Sequence, residues 1–270
     1  MGFSYGSKGI VRDGLVLYLD VNNPRCCPHT GTVTTKDKLY NLVTPEDGTA
    51  SGFPATFSIG NSDAAGMSIV KENGYWVYDQ DAKTGGASSD PGWLADNTYT
   101  RTAGGYTGRG YTFSCWFKWS KGLGYQNAEN IYGGGFKNRT SFVLTPSGYE
   151  PAAGCLFYRN DGSSSNRWYT WEEEPDLHGN DIWLHMAFTN TGIDASEDAI
   201  WYRNGISIQS NLANHSGYDS PIGENQFVWG GWSNIYGNFT GRSNLFMYWE
   251  RALSDNEILQ VYNIQKRRFQ

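Results

Sequence analysis

The densest run of chemically capable side chains is Arg167-Trp168-Tyr169-Thr170-Trp171-Glu172-Glu173-Glu174-Pro175-Asp176. Two chemistries suit it. Paired carboxylates facing each other across a groove are the machinery of glycoside hydrolysis. Aromatic rings beside an arginine and carboxylates can instead hold a sugar without cutting it, the rings taking its apolar face and the polar groups its hydroxyls. Glu172 and Glu174 share a parity, but Pro175 stops regular strand pairing directly after them. The run therefore reads as an acidic solvated loop beside an aromatic platform, not as a catalytic pair. Trp229, Trp232 and Tyr236, in the glycine-rich segment WGGWSNIYGN, form a second aromatic candidate. Large aromatics also fill cores and subunit contacts, so carbohydrate binding at either segment competes with plain packing.

Other catalytic patterns are missing from the sequence. There is no G-x-S-x-G nucleophile turn, no H-E-x-x-H pair and no phosphate-binding glycine loop. His29, His178 and His215 fall in loop-like sequence without evident acidic partners, and His185, in the stretch Trp183 to Thr189, reads as a structural histidine. No catalytic residue is assigned and the chain is read as non-enzymatic. Calcium is the one cofactor to weigh, and it takes about 6–8 oxygen ligands. Glu172, Glu174 and Asp176 are the candidate donors, with Asp79 and Asp81, and Asp194, Glu197 and Asp198, as further groups; none matches a defined calcium-loop motif. Cys26, Cys27, Cys115 and Cys155 have no metal-ligand spacing. Cys115 alternates with Phe113 and Phe117 and reads as a small buried hydrophobe, and free thiols made in a reducing compartment are expected.

A strand-rich scaffold must carry these residues. In 270 residues there are 34 glycines, 16% aromatics and only 18% charged side chains, the balance of many short strands and turns. A net charge of −6 argues against nucleic acid as partner, because phosphate binding needs a basic surface. Lys266-Arg267-Arg268 is the one basic cluster and reads as a complement to a helix C-terminus or a solvated patch. No segment approaches the roughly 20 apolar residues that span a bilayer, so no membrane partner is expected. The first residues lack a signal-peptide core, so Met1 is expected to start the native protein without Sec export.

Strands are expected at Leu15–Asp20, Ile69–Tyr78, Tyr111–Trp119, Phe142–Thr145, Gly154–Arg159, Trp183–Thr189 and Ile200–Ile208. Asn204-Gly205 suits a two-residue type I′ turn, which sets Trp201 opposite Ile208. Gly133-Gly134-Gly135 follows a strand-like segment but precedes no helix, so it reads as a bulge or turn. Residues 22–66 and 79–110 read as irregular. Near the end, Arg251-Ala252-Leu253-Ser254-Asp255-Asn256-Glu257-Ile258 carries a capping box between Ser254 and Glu257 and a staple between Leu253 and Ile258. It predicts one short helix with Ile258, Val261 and Tyr262 on its inner face.

These blocks, in this order over residues 14 to 263, resemble the laminin-G-like, concanavalin A-like jelly rolls. The resemblance rests on GLVLYLD with Asn23-Pro24, YTFSCWFKW, the W-x-H strand at Trp183 to His185, the Tyr202-Arg203-Asn204-Gly205 hairpin and the terminal RALSxxEIxxxY. It implies an all-β sandwich of two antiparallel sheets with one short C-terminal helix, spanning 14–270 after an N-terminal arm at 1–13. It departs from the family on the last strand, where Asn244-Leu245 stands in place of a frequent acidic pair. Similar standalone modules occur among structural proteins of marine and cyanobacterial tailed phages. The resemblance therefore implies a virion structural or attachment protein, a capsid decoration or tail component, that binds other virion proteins, self-associates and holds host glycan. An exported bacterial lectin and a glycoside hydrolase of the same fold are the alternatives. Phe3, Tyr5 and Ile10, spaced among Gly and Ser, suit an arm that orders on a neighbouring subunit.

Overall fold

The computed structural model describes residues 9–34, 36–43, 56–59, 67–79, 93–95, 110–119, 131–136, 140–145, 154–160, 165–171, 182–190, 199–208, 227–229 and 241–270, with the four segments from 131 to 171 described by their backbone. In chain order the strands are β1 Leu15–Asp20, β2 Gly31–Thr32, β3 Lys38–Tyr40, β4 Thr56–Ile59, β5 Ser68–Glu72, β6 Tyr75–Asp79, β7 Trp93–Ala95, β8 Tyr111–Trp119 and β9 Ile131–Phe136. They continue with β10 Thr140–Thr145, β11 Gly154–Asn160, β12 Ser165–Trp171, β13 Trp183–Asn190, β14 Ala199–Arg203, β15 Ile206–Ile208, β16 Phe227–Trp229 and β17 Gly241–Trp249. The helix α1 covers Asp255–Gln265 and tightens into a 3-10 turn at Lys266–Arg268. The expected irregular stretches 22–66 and 79–110 thus contain β2, β3, β4 and β7, strands of two to four residues that are too short to show an alternating pattern.

Two antiparallel sheets make the sandwich. One runs β15-β14-β13-β8-β17-β6-β5-β2, with β1 also on β17; the other runs β12-β11-β10-β9-β16-β7-β4-β3. β17 changes partner along its length. Its start pairs with β6, Arg242 opposite Asp79, and its end pairs with β1, Leu245 opposite Asp20. One extra residue is accommodated there, because Ser243 faces Phe117 of β8 while Phe246 already faces Cys115. Asn244 sits at this bulge, fully buried, and its Nδ2 donates to the Trp76 carbonyl at 2.6 Å; the Trp76 N–H donates to Asn22 Oδ1 at 3.0 Å. At the position where the resemblance would lead one to expect an acidic pair, this chain uses an amide to hold the β6 backbone.

The bulge read from Gly133-Gly134-Gly135 is present within β9. Phe142 pairs with Gly134 and Val143 with Tyr132, which leaves Gly133 unpaired. The β14–β15 hairpin also has the expected register, with Trp201 opposite Ile208. Its turn residues Asn204 and Gly205 have φ of 51° and 81°, the left-handed pair that a type I′ turn needs.

Strand alternation separates two apolar layers. Phe113, Cys115 and Phe117 of β8 face the space between the sheets and join Leu17, Leu19, Phe57, Trp93, Trp201, Trp229 and Phe246 in the main core. Trp116 faces outward and joins Trp183, Tyr202, Met247 and Trp249 in a second layer, closed by Leu253, Ile258 and Val261. Each large aromatic in these layers contributes on the order of 4–6 kcal/mol of gross burial. Cys26, Cys27 and Cys115 are buried free thiols.

Helix α1 is locked as its sequence predicts. Ser254 Oγ accepts the Glu257 N–H, and Glu257 accepts the Ser254 N–H at 2.9 Å. Both Glu257 oxygens also accept from Arg251, an interaction that the capping box alone does not include. At the far end the basic cluster is not simply solvated: Arg268 Nη1 lies 2.9 Å from Oδ2 of the buried Asp20. Residues 9–13 lie on the same side of the molecule. Trp249 Nε1 donates to the Val11 carbonyl at 2.8 Å, and the Gln260 side chain donates to the Gly9 carbonyl. Ile10 and Val11 pack, half-buried, against the outer layer of their own chain. Of the three expected arm residues, Ile10 thus packs on its own chain, and Phe3 and Tyr5 lie outside the described residues.

Candidate functional site

The sequence-selected run Arg167 to Trp171 belongs to β12, a strand and not a loop. β12 pairs with β11 only, Phe157 opposite Trp168 and Leu156 opposite Tyr169, so it ends its sheet among the described residues. An end strand offers backbone donors and acceptors that no neighbour uses. Positions 167, 169 and 171 share one parity and Trp168 has the other. Glu172, Glu174 and Asp176 follow directly in sequence and lie outside the described residues, as do Trp232 and Tyr236.

Trp229 is not an exposed platform. It is fully buried, pairs across strands with Trp93, and its ring lies 5.8 Å from Tyr78 and 6.2 Å from Phe246. Short strand β16 points it into the space between the sheets, where its apolar area is worth most. The indole N–H groups of Trp229 and Trp93 have no hydrogen-bond partner there.

On the outer face, five strands converge on a polar cluster. Glu72 of β5 accepts from Lys118 Nζ of β8 at 2.6 Å, from Arg242 Nη1 of β17 at 3.0 Å and from Trp183 Nε1 of β13 at 3.3 Å. Arg242 Nε also reaches Asp79 of β6 at 3.1 Å. Burial resists ionisation of Glu72, but the hydrogen bonds from Lys118 and Arg242 outweigh it and hold its carboxyl below the usual range. Among the described residues two acids meet two bases here, and their bonds tie the five strands together. Among the described residues, no group of three or more histidines, cysteines and carboxylates has a metal-holding arrangement.

Two histidines have defined surroundings. His29 stacks on Trp93 at 5.8 Å, and Asp37 lies 3.9 Å from its Nδ1, an acidic neighbour that sequence spacing did not suggest. His185 is fully buried, with Nε2 2.8 Å from Ser114 Oγ and Nδ1 without a partner. A Ser–His pair in that position is sealed from any substrate by α1.

No protein-family model and no curated protein sequence matches the chain. Solved structures do match. The botulinum neurotoxin serotype D binding domain superposes with a TM-score of 0.58 at 18% identity, over 94% of this chain and 53% of that one. The binding domain of Paraclostridial Mosquitocidal Protein 1 gives 0.53 at 14%, over 94% and 52%. This chain therefore spans about half the length of those toxin domains. Domain 4 of AbnA, an extracellular GH43 arabinanase from Geobacillus stearothermophilus solved with arabinotriose, gives 0.53 at 15%, over 92% of this chain and 98% of that one. At these identities the likeness concerns the fold: the chain is a β-sandwich of the kind found in toxin binding domains and in domain 4 of an arabinanase.

Proposed function

We propose that the chain is a non-enzymatic attachment module that binds carbohydrate along β12. The observation that carries this reading is the placement of Arg167, Trp168, Tyr169 and Trp171 on the end strand of the eight-stranded sheet. Four of its seven positions carry an aromatic ring or a guanidinium, the groups that stack on sugar rings and bind their hydroxyls. The arabinotriose bound to a domain of the same fold makes a pentose oligosaccharide the first ligand to test. We assign the module to the virion of a tailed phage, as a capsid decoration or tail component in several copies, on the strength of the sequence resemblance.

Calorimetric titration with arabinotriose and with a panel of bacterial surface glycans tests the binding. Trp171→Ala and Trp168→Ala, made singly, tell the two strand parities apart; loss of one anchoring ring weakens binding at least tenfold, about 1.4 kcal/mol. Repeating the titration with EDTA asks whether calcium at Glu172, Glu174 and Asp176 contributes. Absence of binding across the panel, or affinity indifferent to both substitutions, removes β12 from the reading. Peptide mass spectrometry of purified particles tests the virion assignment.

A further inference from the structure

We propose that His185 is an acid-sensitive latch for the C-terminal helix: a protonated imidazole is not accommodated with α1 lying on the sheet, so mild acid raises the population in which the helix has lifted and the aromatic layer beneath is uncovered. The ring sits on the outer face of β13, 5.3 Å from the Trp116 ring of β8 and 5.7 Å from the Tyr262 ring of α1. It is fully buried. A neutral ring can donate from Nε2 to Ser114 Oγ, which leaves only a lone pair idle at Nδ1. A second proton would add an N–H at Nδ1 with no acceptor and a charge in a dry apolar layer. Both are costly.

Among the described residues no neighbouring group compensates. On β8, Ser114 and Trp116 are neutral, and Lys118 is bonded to Glu72. From the hairpin, Asn204 takes the His185 backbone N–H and carbonyl and leaves the ring alone. Tyr202 donates to Asp255 at 2.6 Å, which occupies the first-turn carboxylate of the helix. From α1 itself, Tyr262 presents its ring with Lys266 Nζ 5.3 Å from it, one more positive charge. Burial alone accordingly pushes His185 down to about 3.

The helix is the part that can yield. β8 and β13 are interior strands with ladders on both sides. α1 is held mainly by side chains: Arg251 to Glu257 at one end, and Gln265 to Trp116 and Arg268 to Asp20 at the other. The relevant window runs from about pH 6.5, where a free histidine titrates, to about pH 4.5, where carboxylates begin to protonate. Glu257, at about 2, stays ionised throughout it, so the helix cap survives.

Hydrogen–deuterium exchange of residues 255–265, corrected for intrinsic rates, measures the opening. Against a free-histidine pKa near 6.5, the opening equilibrium rises about 30-fold between pH 7.5 and pH 5 in the unaltered protein, while β8 amides stay protected. His185→Gln holds the rise below about twofold. His29→Gln, which alters the other well-defined histidine, leaves the 30-fold rise in place. An unaltered protein whose helix exchange does not change, a His185→Gln protein that opens as much, or simultaneous loss of β8 protection each overturns the latch. The first and third readings need no variant.

Discussion

Replacing Arg268 by methionine keeps most of the side-chain stem and deletes the cation beside Asp20. A solvated terminal arginine would contribute nothing measurable, and an exposed ion pair about 0–1 kcal/mol. Breaking a fully buried pair costs about 3–5 kcal/mol, because the remaining charge is stranded. The geometry here lies between. The Asp20 side chain is 3% exposed and that of Arg268 16%. Asp20 keeps two hydrogen bonds when the arginine goes, from Tyr18 Oη at 3.3 Å and the Asn22 N–H at 3.0 Å. The expected loss is therefore about 2 kcal/mol, between the exposed and the fully buried ranges. Urea denaturation at neutral pH reads it as a lower midpoint at unchanged slope. Asp20→Asn and the double variant complete a cycle, and the double should cost clearly less than the two singles summed. A midpoint for Arg268→Met within 0.5 kcal/mol of the parent, or additive singles, would refute the anchoring role.

Ser254→Ala removes an N-cap and should cost about 1 kcal/mol in the same denaturation assay. Glu257→Ala should cost at least as much, since it removes the Arg251 pair together with the return half of the box. Hydrogen bonds from Arg251 hold Glu257 near 2, so its contribution is complete above about pH 4.5 and fades as pH falls toward 2; a pH series on the Glu257→Gln variant should converge with the parent at the acid end. Gly205→Ala should destabilise by about 1–2 kcal/mol, because a Cβ there meets Tyr262 at 2.9 Å and Leu259 at 3.1 Å in a left-handed backbone. Peptide mapping after native alkylation should find Cys26, Cys27 and Cys115 unlabelled, since burial pushes all three thiols up, Cys27 to about 11.

The features legible in the sequence were those whose cause is local. Asn204-Gly205 fixed a turn and with it a register, because few residues tolerate two successive positive φ values. Ser254 and Glu257 marked a helix start because cap and return partner are three residues apart. What stayed hidden depended on distant partners. Arg268 has no neighbour in sequence that announces Asp20, and Gly9 gives no sign that its carbonyl meets Gln260 of α1. β7 and β16 are three residues each, and a Trp in so short a strand carries no parity signal, so Trp229 could be taken for a surface ring. For the candidate site, the aromatic run was legible as a cluster, but its place on an end strand comes from the pairing of β12 with β11 alone.

The partnership of β1 and β17 bears on how the protein is made. Leu15 pairs with Trp249, so β1 finds its ladder partner β17 only after about 230 further residues have been synthesised. At ~5–20 residues per second that interval is on the order of ten seconds or longer. During it Leu15, Leu17 and Leu19 form an exposed apolar strand with open edges, the kind of segment that pairs with other nascent chains. A message truncated before residue 241 would yield a product in which β1, β6 and β8 all lack their shared strand. Such a product is a substrate for chaperones and proteases, and refolding yield should fall steeply with protein concentration even where the finished fold is stable.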